Sequence, residues 1–338
     1  MSKRVAFNVG LIGYGYWGPN LARNFARHQY CRIKRIADID DRRRQVANAS
    51  YPDAEIVSDP SQVTKAPDID IVVIATPVST HYALTMESIE HGKHVWIEKP
   101  MTATSIQAEK IVDLAERKKK VVVVDHTLLF TSAVRKIKML IDSAELGDIY
   151  YYDSVRVNLG LFQHDVNVIW DLAPHDLSII DHVIAEKPTA IVAHGMDHFG
   201  RRLVDVAYVT IYFSNNMIAH LNMNWLSPVK IRRTVIGGQK KMLLWDDLRA
   251  DDKLRIYDKG VDIINKEGIY DLMVEYRSGD MFAPRIENTE ALKEETDYFI
   301  KCITDNKKAI NDAQAGLRVV KLLEASDTSL NNGRPISL

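Results

Sequence analysis

Residues 5–128 alternate short apolar runs with amphipathic stretches, and that alternation leaves few folds open. "VAFNVGLIG" reads as a strand and "WGPNLARNFARH" as a helix. "CRIKRIADID" is again a strand and "RRRQVANAS" a helix. "IDIVVIATP" (69–77) is a buried strand, "HYALTMESIEHG" a helix, and "KHVWIEKP" a strand. "SIQAEKIVDLAERKKK" is a helix, and "VVVVDHT" (121–127) closes the series. Strands that stay apolar without alternation belong to sheets covered on both faces, as parallel sheets are. The β-α-β-α order predicts an α/β domain over 1–128, with a doubly wound parallel sheet.

Beyond residue 128 the texture changes. "AVRKIKMLIDSAELG" is helical and "DIYYYDSVRVNLG" a long strand. "TAIVAHGMDH", "DVAYVTIYFSN", "MIAHLNMNWLSP", "IRRTVIGGQKKMLLWDD" and "DKLRIYDKG" follow with turn signals between them. They predict an α+β domain over 129–338 with a mostly antiparallel sheet. "EALKEETDYFIKCITDN" and "DAQAGLRVVKLLEASDTSL" read as amphipathic helices at its end.

Length and composition bound the class. The 338 residues are 46% hydrophobic and 26% charged, enough for two domains with substantial cores. The net charge of -1 argues against a nucleic-acid partner, and "DDRRR" (40–44) and "RKKK" (117–120) read as solvated helix ends. Cys31 and Cys302 cannot build a disulfide framework or a cysteine zinc site, which fits a reducing cytoplasm. The N-terminus enters a strand without a signal-peptide pattern, and no apolar run is long enough to span a bilayer. The expected partner is a small molecule, with no membrane and no metal.

"GYGYWG" (13–18) fits G-x-G-x-x-G between a strand and a helix. Gly13 permits the tight turn, Gly15 the approach of a pyrophosphate, and Gly18 close helix packing. Tyr14, Tyr16 and Trp17 complete the loop, and the helix N-terminus receives the anion. An acidic residue belongs about 20 residues on, where Asp38 ends "RIAD". Its carboxylate would bond the adenosine ribose and repel a 2′-phosphate, which favours NAD. Arg42 and Arg43 keep NADP open. "ATPVSTH" adds Thr76, Pro77 and His81 at a strand's carboxyl edge, and "EKP" adds Glu98 and Lys99 at the next. The Lys99–Pro100 bond is a candidate cis peptide.

"WDLAPHD" (170–176) places Asp171 and His175 four apart, on one face if helical. The heptapeptide alone allows a helix cap beside a core histidine, half a metal site, or a proton-transfer pair. No third or fourth metal ligand is evident by spacing.

These motifs together resemble the Gfo/Idh/MocA oxidoreductase family, over nearly the whole chain. The resemblance implies a dinucleotide-binding Rossmann domain and a second domain whose open sheet forms subunit contacts, hence a homodimer or homotetramer. It implies that Lys99, Asp171 and His175 carry catalysis: His175 as acid/base, Lys99 on the developing alkoxide, Asp171 orienting both, with lysine and histidine each a candidate base. The stretch 153–179, "GYWGPN" and "DHT" resemble a subgroup that oxidises nucleotide sugars at C3, such as UDP-N-acetylglucosamine 3-dehydrogenases of surface-polysaccharide or lipid A precursor synthesis. Asp125 departs from the glycine expected there. Arg156, Asn158, Gln163, Asn167, Trp170, His175 and Arg233 are the expected substrate contacts, the arginines on sugar or diphosphate. Three rivals remain: a 3-ketoreductase running in reverse, an inositol or free-sugar dehydrogenase, and a non-catalytic NAD sensor.

Overall fold

The computed structural model describes residues 7–160, 165–264 and 273–338, apart from the side chains of 262–275. The first elements are β1 (Phe7–Ile12), α1 (Gly18–Arg27), β2 (Cys31–Ala37), α2 (Asp41–Ser50), β3 (Glu55–Val57) and α3 (Ser61–Thr64). Next come β4 (Ile71–Ile74), α4 (Val78–Glu90), β5 (His94–Ile97), α5 (Ser105–Lys118) and β6 (Val122–Val124). After a 3-10 turn at Thr127–Phe130 follow α6 (Ser132–Asp142), β7 (Ile149–Leu159), α7 (Val168–Val183), β8 (Pro188–Met196), β9 (Val206–Phe213) and β10 (Ile218–Asn224). The chain ends with β11 (Leu226–Gly238), β12 (Met242–Asp246), β13 (Leu254–Ile264), β14 (Met273–Phe282), α8 (Ala291–Asp305), α9 (Ala313–Asn332) and β15 (Ile336–Ser337).

Two compact units result, one of residues 1–130 with 289–321, the other of 131–288 with 322–338. The division at 128 lies close to the first crossing, but assigning everything after it to one domain is corrected. Helix α8 and the start of α9 belong to the first unit, and packing explains why. Phe299 of α8 forms edge-on aromatic pairs with Phe25 of α1 and Trp96 of β5, at 6.3 and 5.6 Å between centroids. The Val124 N–H donates to Asn311 O at 2.9 Å, and the Asn311 side-chain Nδ2 donates back to Val124 O at 2.8 Å. Amphipathic spacing shows that a helix has an apolar face, but not which core receives it.

In the first unit the described strands form one sheet in the order β3-β2-β1-β4-β5-β6, with every pairing parallel. All four residues of β4 are buried, as a central strand between two helical layers requires. The chain order reverses between β1 and β4, which opens a crevice at the carboxyl ends of these strands.

In the second unit the described strands run β14-β13-β12-β11-β7-β10-β9-β8-β15. The pairing of β7 with β10 is parallel and the others are antiparallel. Helix α7 packs on β9 and β10. Tyr152, Ser154 and Arg156 of β7 are buried on the sheet's inner face, while Tyr208, Tyr212 and Ile218 are exposed on the outer one.

Candidate functional site

The turn between β1 and α1 is shaped by two glycines that no other residue could replace. Gly13 has φ +94°, and a Cβ there would lie 2.4 Å from Ala75 O. A Cβ on Gly18 would lie 2.1 Å from Gly13 O. Gly15 is different: its nearest neighbour is the Arg43 guanidinium, 3.3 Å from where a Cβ would be. The turn is therefore closed on the protein side at Gly13 and Gly18 and open at Gly15. That is the cradle a pyrophosphate needs at a helix N-terminus, so the residues present fit a dinucleotide. Tyr14 is buried against Tyr51, and Tyr16 is 85% exposed.

Asp38 follows β2 and is only 5% exposed. One carboxylate oxygen accepts from the Tyr14 N–H at 2.6 Å and the other from the Asp40 N–H at 2.8 Å. The residue thus braces the glycine turn while keeping lone pairs for a ribose hydroxyl. Arg43 stands 3.9 Å from the same carboxylate. The motif of the adenosine end and the arginine that could meet a 2′-phosphate are therefore neighbours.

At the carboxyl edge, Thr76 bonds Thr80 through their hydroxyls at 2.7 Å, and Pro77 precedes α4. His81 is buried, its ring nitrogens 2.9 Å from Pro100 O and 2.8 Å from Thr76 O. Sequence reasoning puts His81 on the cofactor; the structure makes it a strut between the two strand ends instead. Lys99–Pro100 is cis. Lys99 is half-buried, and burial, followed by the nearby Asp125, holds the Glu98 carboxyl well above the usual carboxylate range. Asp125 itself accepts the Trp17 indole N–H at 2.9 Å. The sequence marked Asp125 only as a departure in a turn, with no signal that its partner lay in the glycine loop.

In the second unit, Asn167 caps α7 by accepting from Ile169 N and Trp170 N, and its amide donates to Asp327 at 2.9 Å. The Trp170 indole donates to the other Asp327 oxygen at 2.6 Å. Asp171 and His175 lie one turn apart on α7 and are both half-buried. Trp225, at the end of β10, donates its indole N–H to Asp171 at 3.1 Å. The heptapeptide is thus part of a helix whose cap is Asn167, not Asp171.

Several expected substrate contacts are corrected here. Arg156 is buried and pairs with Asp176 at 3.0 Å, where Tyr152 and Ser154 also donate. Burial works against its charge, and Asp176 more than restores it. Asn167 and Trp170 are committed to the cap and to Asp327. Arg233 is on the sheet's outer face, 3.2 Å from Asp246, whereas its neighbour Arg232 shares the inner face with Arg156. Alternation along β11 fixes that difference, and a one-residue misreading of register reverses it. Asn158 is half-buried near the end of β7, and Gln163 lies outside the described residues.

Comparison with known proteins joins these observations. Residues 7–126 match the model of the oxidoreductase family with an NAD-binding Rossmann fold, and 134–244 match the GFO/IDH/MocA C-terminal domain. The chain is 26% identical to scyllo-inositol 2-dehydrogenase (NADP(+)) of Bacillus subtilis, over 98% of this chain and 95% of that protein. It is 25% identical to UDP-N-acetylglucosamine 3-dehydrogenase of Acidithiobacillus ferrooxidans, over 94% of this chain and 95% of that one. A solved structure of the Acidithiobacillus ferrooxidans enzyme superposes with a TM-score of 0.81 at 22% identity, covering 97% and 98% of the two chains. The glycine turn, the strand order and both domain matches lead to one assignment: the chain belongs to the Gfo/Idh/MocA family of NAD-binding oxidoreductases.

Proposed function

We propose that the chain oxidises a sugar hydroxyl to a ketone with NAD, at C3 of a UDP-N-acetylhexosamine, in surface-polysaccharide or lipid A precursor synthesis. The observation that carries this reading is the near full-length likeness to a UDP-N-acetylglucosamine 3-dehydrogenase, joined to the presence of Lys99, Asp171 and His175. When bound, NAD supplies the acceptor for the hydride leaving the carbon. His175 takes the hydroxyl proton, because an imidazole can accept and return a proton near neutral pH. Lys99 stabilises charge developing on the oxygen and is the alternative base. Asp171, itself held by Trp225, orients the pair. Asn158 and Gln163 remain substrate candidates, and Arg232 takes the place of Arg233 as the candidate for diphosphate.

Asp38 supports NAD over NADP, with Arg43 as the residue through which NADP would bind. A homodimer or homotetramer through the outer sheet face is part of the same reading, since Tyr208, Tyr212 and Ile218 are exposed on it. So is a cytoplasmic location. Among the described residues no helix is long and apolar enough to cross a membrane.

A second reading has its own support in the likeness to scyllo-inositol 2-dehydrogenase. A panel separates the two. Purified protein is given NAD or NADP with UDP-, dTDP- and GDP-sugars, free hexoses and inositols, and nicotinamide reduction is followed by absorbance. Reduction with UDP-N-acetylglucosamine is the expected result. Reduction with an inositol alone keeps the family and discards the nucleotide sugar.

A further inference from the structure

The glycine-rich turn has a lateral anchor. Trp17, the last residue before α1, donates its indole N–H to Asp125, which lies 108 positions away at the end of β6. Asp125 is buried, and its second oxygen accepts from the Thr127 hydroxyl. Its backbone N–H donates to Ile97 O at 2.7 Å, which fixes it to the end of β5. Both oxygens accept, as those of a carboxylate do.

We propose that Asp125 is a positioning residue of the dinucleotide site, holding the Trp17 indole and with it the turn 13–18 in the geometry that receives the dinucleotide. The proposal rests on dinucleotide binding, not on the sugar.

The surroundings of Asp125 are organised to keep it so. Glu98 reaches it from the end of β5, followed by Lys99, and Glu295 from α8; His126 and Thr127 follow it in the chain. Glu295 is fully buried. One of its oxygens accepts from Asn311 at 2.8 Å, while the other has no hydrogen-bond partner, and neither has Oε1 of Glu98. Burial and then Asp125 push both glutamates well above the usual carboxylate range. Both causes favour the uncharged form of each glutamate, which adds no second negative charge beside Asp125. As pH rises, each proton lost to solvent leaves a carboxylate facing Asp125, and the anchor weakens.

The test is calorimetric titration of the protein with NADH over a series of rising pH. It needs no sugar, so failure of the substrate assignment does not touch it. Trp17→Phe keeps the ring and removes the donor; Asp125→Asn alters the acceptor. Each should weaken NADH binding about tenfold, the worth of one hydrogen bond to a charged group. The double variant should lose no more than either single one, because the two remove one interaction. Parent affinity should fall as pH rises. Glu295→Gln, an uncharged side chain that can still accept from Asn311, should flatten that fall, which a merely structural role would not do. Trp17→Phe binding NADH like the parent overturns the proposal, as does a Glu295→Gln profile that follows the parent's. Trp17 is only half-buried, so that variant decides the matter even if Asp125→Asn does not fold.

Discussion

The guanidinium of Arg156 and the carboxylate of Asp176 meet at 3.0 Å inside the second unit, both buried, on the face of β7 that α7 covers. Tyr152 and Ser154 donate to the other carboxylate oxygen at 3.1 and 2.8 Å, so the pair's hydrogen bonds are largely filled. Removing one partner leaves an uncompensated buried charge. Arg156→Met should lower stability by about 3–5 kcal/mol in denaturant unfolding. Arg233→Ala, on the outer face, should stay within about 0.5 kcal/mol. Equal effects would show that the inner and outer faces have been confused.

His175→Ala should cut turnover by about 10²–10⁴ while NADH binding persists, the usual worth of a general acid/base. Steady-state kinetics beside a binding titration separate the two quantities. Trp225→Phe should lower turnover in the same direction but less, since it removes only the donor that holds Asp171.

Gly18→Ala should abolish dinucleotide binding and lower the thermal midpoint, because the new Cβ would lie 2.1 Å from a backbone oxygen. Gly15→Ala meets only the end of a flexible arginine side chain. It should therefore fold normally and lose affinity alone. Calorimetry and thermal unfolding of both variants check the contrast.

Glu98 and Glu295 give stability a pH dependence of definite sign. Their folded-state affinities for protons are raised, mainly by burial and then by Asp125. Their contribution is full below the ordinary value of 4.5 and is lost as pH rises through the raised values. Stability should therefore decline as pH rises above 4.5, and Glu295→Gln should lessen the slope in unfolding curves. A parent that gains stability in that direction contradicts the buried neutral acids.

Local chemistry was legible in the sequence, and long-range partnership was not. The G-x-G-x-x-G turn, the cis bond after Lys99 and the helical placement of Asp171 and His175 depend on residues within a few positions of each other. The doubly wound sheet was legible too, because parallel strands carry their burial in composition. The short β3, α3 and β15 lack enough residues to show a period. The destination of α8 depended on Phe25 and Trp96, far away in sequence. The same limit explains the substrate residues. Arg156, Asn167 and Trp170 looked available because Asp176 and Asp327 could not be assigned to them from spacing. Arg233 went astray through alternation alone.

The most direct measurement uses UDP-N-acetylglucosamine carrying deuterium at C3, with NAD and purified protein, and mass spectrometry of the reduced nicotinamide. Oxidation at C3 moves that deuterium with its electron pair, so the reduced cofactor should be heavier by one deuterium and the sugar should become a 3-ketone. Reduced cofactor without the label would place the oxidised carbon elsewhere on the sugar. Turnover with inositols and none with this substrate would contradict the nucleotide-sugar assignment itself.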